Sequence, residues 1–170
     1  MSGVSVTRDT FRMIAPVPED LVCLPADGEW AAWLGLTSTP VDGRTAVVLV
    51  SITVTALGAL QGPAPPGTGT AAESLAARVR ARYPEGTAHV EEFTTPGGNR
   101  AVGVRRTVTQ RVDDRDVTTG QAQALVAYPG PGALGIVSGV ALDPADLDRA
   151  AVLVTGIAAG MTVTSAPAAA

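Results

Sequence analysis

Lysine is absent from the 170 residues, cysteine and histidine occur once each (Cys23 and His89), and aromatic residues amount to only 4%. Without lysine there is no Schiff-base chemistry and no lysine clamp for phosphate. A solitary cysteine excludes a disulfide within the chain and, with one histidine, all but excludes a Cys/His metal site, so neither metal nor cofactor is expected. Few aromatics mean that the core must be built from Val, Leu, Ile and Ala. Positive charge is also scarce. The net charge is −4 and the pI about 4.9, which argues against a nucleic-acid partner, because phosphate contacts need clustered cations. The start, MSGVSVTRDTFRMIAPVPED, has neither a basic n-region nor an apolar h-region, so no secretory signal is expected. A cytoplasmic location follows as an expectation, with Cys23 reduced and most simply a small core residue. No membrane span is expected either. The apolar part of 45–72 ends by Leu60, and 150–170 is broken by Thr155, Gly156, Gly160, Thr162 and Thr164.

Hydrophobic residues make up 46%, enough for a packed core, and the length suits one domain. All twelve basic residues are arginine, which fits a GC-rich coding bias such as that of actinobacteria. The run TAVVLVSITVTAL (45–57) has Ala46, Val48, Val50, Ile52, Val54 and Ala56 on one parity, and Ser51, Thr53 and Thr55 on the other. That is a strand with one buried face. After the Pro/Gly-rich loop 61–70, Thr70 and Glu73 have capping-box spacing. Ala72, Leu75, Ala76, Val79 and Tyr83 then give a helical stripe, ended by Pro84 and Gly86. TAHVEEF (87–93) reads as an edge strand and PGGN (96–99) as a hairpin turn. RAVGVRRTVTQRV (100–112), TTGQAQALVAY (118–128) and LGIVSGVAL (134–142) are strands separated by the turns DDRD and PGPG. Asp143 is a natural N-cap, with Pro144 at the first helical position and Asp146 in the first turn, where the helix dipole favours an anion. Leu147, Ala150, Ala151, Val154, Ile157, Ala158 and Met161 form the buried stripe of that helix. The first 44 residues are less regular: 16–25 suggests an extended segment, and 28–39 a strand or a short helix. The expected fold is α+β, an antiparallel sheet of about six strands flanked by two main helices. The expected organisation is a flexible N-terminus over 1–10, one domain over 11–164 and a disordered tail over 165–170.

Few residues offer chemistry. GTGTAA (67–72) matches G-x-G-x-x-A with Gly67, Gly69 and Ala72, but no strand runs directly into it, so it reads as a chance match. GIVSG (135–139) is not a nucleophile elbow, since Ser138 is displaced from the central position. His89 lies on the expected edge strand and reads as a surface residue. Glu91 and Glu92 are adjacent, so on a strand they point to opposite faces and make no acid/base pair. Arg106 shares parity with Val102, Val104 and Val108. Either a bulge beside Arg105 turns both arginines out, or Arg106 reaches a rim or pairs with an acid, or it is a functional arginine. Trp30 and Trp33 belong either to the core or to a hydrophobic platform for a partner.

The order of these segments resembles the PsbP/DcrB-like superfamily. TAVVLVSITV, the capped helix, GGNRAVGVRRTV, QAQALVAYPGPGALGIVSGVAL and the last helix DPADLDRAAVLVTGIAAGMTV carry the likeness over residues 11–164. LpqN-type lipoproteins and the Eag chaperones of type VI secretion are similar. Their lipid-attachment cysteine has no counterpart here, and no shared motif brings a residue role with it. The resemblance implies an antiparallel sheet flanked by helices, without catalytic machinery, acting as an adaptor or chaperone. The expected function is therefore a non-enzymatic, cytosolic protein-binding module, an accessory factor or chaperone of a secretion or phage-like assembly. Trp30, Trp33 and Arg106 are its candidate partner-binding residues. A small-molecule or lipid ligand in a cavity against the sheet is the alternative, and homodimerisation through a strand edge or sheet face is a further option.

Overall fold

The computed structural model describes residues 2–25, 31–60, 67 and 69–166. The alternating run that begins the clearest strand becomes β5 (Arg44–Ala56). It joins β4 (Trp33–Val41) through Asp42 and Gly43, both at positive φ (46° and 79°). Two consecutive positive φ values twist a two-residue hairpin in the sense of its strands. Asp113 and Asp114 (45° and 61°) do the same between β7 (Arg100–Val112) and β8 (Arg115–Tyr128). With β3 (Val22–Leu24), β6 (His89–Thr94) and β9 (Ala133–Ala141), these strands form a seven-stranded sheet of order β3-β4-β5-β9-β8-β7-β6. A second, three-stranded sheet has the order β1-β2-β10, from β1 (Ser2–Arg8), β2 (Phe11–Val17) and β10 (Thr162–Ser165). Every pairing is antiparallel. The helices are α1 (Leu75–Arg80) and α2 (Leu147–Gly160). The architecture is thus α+β with two helices, as the sequence predicts, but its strands are shared between two sheets.

One face of the large sheet, the inner face, holds the main core. Val48, Val50, Ile52, Val54, Ala124, Val126 and Val137 have no exposed surface, and they meet Met13 and Ala15 of the small sheet and Val154, Ile157 and Ala158 of α2. Two glycines set how closely α2 approaches. A Cβ on Gly139 would fall 2.7 Å from Val154 Cγ2, and one on Gly120 3.0 Å from Leu147 Cβ. Tyr128 Oη donates to the carbonyl of Met161 at 2.8 Å, tying β8 to the end of α2, and burial pushes its phenol well above the ordinary value.

Three expectations need correction. Residues 2–8, read as a flexible N-terminus, pair along β2 from Ser2↔Val17 to Arg8↔Phe11. Val6 is buried in that packing, and the apolar surface so gained offsets the entropy of ordering the segment. Residues 162–165, read as the end of a helix and the start of a tail, pair with the other side of β2. The rest of the expected tail, 167–170, lies outside the described residues, as do 61–66 and 68 of the loop. Finally, α1 is shorter than the 72–83 stripe. The Thr70–Glu73 capping pair forms, but residues 71–74 make turns and the regular helix begins at Leu75.

Candidate functional site

Because paired strand residues point the same way, the outer face of the large sheet can be read row by row. One row is Val22–Leu36–Leu49–Val140–Gln121–Arg106. The next is Leu34–Ser51–Ser138–Gln123–Val104–Val90. α1 covers only one part of this face. Leu75, Ala76 and Val79, with Leu57 and Leu60, pack on Val102, Val104, Leu125, Ala127 and Leu134. Beyond that cluster no described element lies over the sheet, and Val47, Leu49, Ser51, Ser138, Val140, Gln121 and Gln123 are half-buried.

The open half continues onto a projecting arm. β6 pairs with β7 only as far as Arg105, and β9 with β8 only from Gly120, so residues 107–119 form a two-stranded ribbon without flanking strands. Its outer side carries Val108, Val112 and Val117, in register with Arg106. Six large hydrophobic residues are exposed among those described, and four of them lie on this one surface: Val22 (63%), Leu142 (59%), Val112 (50%) and Val117 (42%). Leu142 follows β9 in its alternation, its N–H bonded to the Val47 carbonyl at 3.1 Å. Scattered exposed hydrophobics are ordinary, whereas an aligned set marks an interaction surface.

On the strand positions of the open half charge has one sign, the carboxylates of Asp113 and Asp114 being confined to the turn at the tip of the arm. Those strand positions carry Arg106 and Arg115 and, among the described residues, no carboxylate. Elsewhere Arg44 is matched with Asp146, Arg80 with Glu92, Arg105 with Asp148 and Arg111 with Asp114. Arg106 sits where α1 stops. No bulge interrupts β7, whose pairing with β8 runs unbroken from Ala101 to Val112. Its guanidinium lies 5.2 Å from the Tyr83 ring centroid, and Nη2 donates to Gln121 Oε1 at 3.0 Å. Beside it is a groove of about 160 Å³ walled by Tyr83, Val104, Gln121, Gln123, Ser138 and Val140. Gln123 Nε2 donates to Ser138 Oγ at 3.0 Å, which leaves the hydroxyl hydrogen free to turn toward the groove.

Of the three residues singled out from sequence, the structure therefore brings Arg106 alone to this surface. Trp33 pairs with Ile52 on the inner face and is only 8% exposed. Its indole covers Gly35, where a Cβ would collide with the ring, so it fills core volume that no other large side chain supplies and is not a platform. Trp30 lies outside the described residues.

The other candidates are not assembled into a reactive centre. The Glu73 carboxylate occupies the space beside Gly69 and accepts the Thr70 N–H at 2.6 Å, which lowers its pKa and blocks the G-x-G-x-x-A segment to phosphate. Its own side chain takes the position an anion would need. His89 is exposed and 3.7 Å from Glu91, while Glu92 turns the other way to Arg80. Cys23, expected in the core, is exposed on β3, because it stands on a three-residue strand at the edge of the large sheet. Asp146, read as a helix-dipole residue, is 4% exposed and bridged by both terminal nitrogens of Arg44, at 2.5 and 2.9 Å. A sheet face left partly uncovered by the helices is what the sequence leads one to expect; the missed part was which residues form it, since outward-facing Val22, Val112, Val117 and Leu142 had no coverage to be judged against.

No protein-family model matches the chain, and no curated protein matches it by sequence. Solved structures do. LpqN, involved in cell envelope biogenesis of Mycobacterium tuberculosis, is 17% identical with a TM-score of 0.53, over 96% of this chain and 91% of that one. The Saccharomyces cerevisiae Ran-binding protein Mog1p is 12% identical with a TM-score of 0.45, over 95% of each chain. The likeness to LpqN is one of fold.

Proposed function

We propose that the chain is a non-enzymatic protein-binding module that receives a segment of a partner on the open half of its large sheet. The observation that carries this reading is the alignment of Val22, Leu142, Val117 and Val112 on one uncovered surface. The covered half shows what such a surface packs against, since α1 lies on the same face through an apolar stripe. A partner helix laid beside α1 would extend that packing over Leu36, Leu49 and Val140. An accessory or chaperone role in a cytoplasmic assembly is the finer form of the same proposal. The hollow on the open half measures about 160 Å³, below the roughly 300–1,000 Å³ of small-molecule sites, while a larger one of about 460 Å³ lies outside the open half, between Tyr83–Gly86 and the β6 edge at His89 and Val90. On the open half that favours a protein segment over a lipid or metabolite.

The test is a photo-crosslinking amino acid placed at Val140 or, as a control, at Val152, which is exposed on α2. In source cells the Val140 position is expected to give a discrete protein adduct that the Val152 position lacks. No adduct from Val140, or the same adducts from both, would sink the proposal.

A further inference from the structure

The open half combines an apolar strip with positive charge that its own strands leave unmatched. We infer that the groove beside Arg106 is a carboxylate subsite, accepting an Asp or Glu side chain from an amphipathic helix of the partner. This inference rests on the binding reading above and names the chemistry of its anchor.

Three observations point the same way. First, Arg106 is half-buried at the edge of α1, yet among the described residues no carboxylate pairs with it. A desolvated guanidinium gains most from an anionic acceptor, and the bidentate geometry is its strongest form. Second, the guanidinium is held in place without being neutralised. The Tyr83 ring supports one face and Gln121 takes a single N–H, so most of its five donors remain for a ligand. Third, the groove is the right size and polarity. At about 160 Å³ it suits one short side chain, and Ser138 and the Gln123 amide line it as further neutral groups.

The same charges decide between occupants. A second copy docking face to face would bring together two surfaces whose strand positions carry arginine and no carboxylate, so neither copy could neutralise the other's Arg106. A partner with an apolar stripe and an acidic residue beside it matches both features at once.

A displayed library of amphipathic helices is the probe, with leucines at i, i+3, i+4 and i+7 and all other positions randomised. Peptides selected on the intact protein are compared on the Leu142→Glu and Val117→Glu variants, which disrupt the strip, and on Arg106→Gln and Arg106→Lys. Circular dichroism confirms that each variant folds. The expected result is peptides that lose binding on both strip variants and share an Asp or Glu at one position. They should bind Arg106→Gln at least tenfold more weakly and recover in part on Arg106→Lys. Strip-dependent peptides with no acidic preference and equal affinity for Arg106→Gln would overturn the carboxylate subsite and leave the binding surface standing. If no selected peptide is weakened by Leu142→Glu or Val117→Glu, the surface itself is refuted, and the subsite with it.

Discussion

The seven-stranded sheet has two differently finished faces. On the inner one, α2 and the three-stranded sheet cover β5, β9 and β8, and residue after residue is fully enclosed. On the outer one, the six residues of α1 cover only the part near β7, and the same strands turn half-buried or exposed side chains outward. β5 shows both patterns within one strand: Val48, Val50, Ile52 and Val54 are sealed, while Val47, Leu49, Ser51 and Thr53 are partly open. Stability is concentrated on one side and a usable surface on the other. A sheet with both faces sealed would have nothing to offer a partner, and one with both faces open would not hold together.

The sharpest way to break this contrast is a pair of truncations on β5. Ile52→Ala, on the inner face, is expected to cost about 2–5 kcal/mol, because the neighbouring α2 and small sheet cannot collapse fully into the cavity. Leu49→Ala, three residues away on the outer face, is expected to cost no more than about 1 kcal/mol, because its side chain already meets water. Urea denaturation of both variants would decide the matter, and equal losses would mean that the outer face is covered after all.

A smaller effect is expected where the inner layer is closed at its edge. Hydrogen bonds from Arg44, and then its charge, hold the Asp146 carboxyl below its ordinary value of 3.8, against the opposing effect of burial. The folded pKa is therefore the lower one. The carboxylate contributes stability at neutral pH that is lost as the pH falls through and below the ordinary carboxylate range. Asp146→Asn is expected to lower Tm by roughly 3–6 °C at pH 7, a modest figure because Arg44 is partly exposed and screened. The gap between variant and parent should narrow by pH 3, and a gap that widened on acidification would reverse the assignment. The smallest effect concerns the arm. Asp114 has φ of 61°, where glycine is unstrained, so Asp114→Gly is expected to stabilise the hairpin by a few tenths to about 1 kcal/mol. Slower amide exchange over 107–119 would register it.

Much of this was legible from residues alone, and the parts that were not share a cause. The alternation in 45–57 marks β5 because its buried face is long and uninterrupted. The Asp143 cap is visible because capping is local, and its carboxylate does accept the Ala145 N–H at 2.9 Å. Residues 11–17 also alternate, with Phe11, Met13, Ala15 and Val17 buried, but Pro16 masks the pattern. β2 also finds one of its partners at 162–165, a separation at which local signals are silent, and its hairpin with 2–8 turns at Asp9 and Thr10 without an Asn-Gly or Asp-Gly signal. Parity puts Arg106 on one face with Val102, Val104 and Val108, but only the limited reach of α1 shows that this face is open. Asp146 looked like a dipole residue because its true partner, Arg44, is 102 positions away.

The small sheet sets an order of events during synthesis. β2 has its β1 partner available as soon as both leave the ribosome, but its other side gains a partner only when residues 162–165 have been made. Until then Met13 and Ala15, sealed in the finished molecule, lack the α2 layer that covers them. A nascent chain halted before α2 thus carries an unpaired strand edge beside bare apolar surface, the combination that makes partly made chains self-associate.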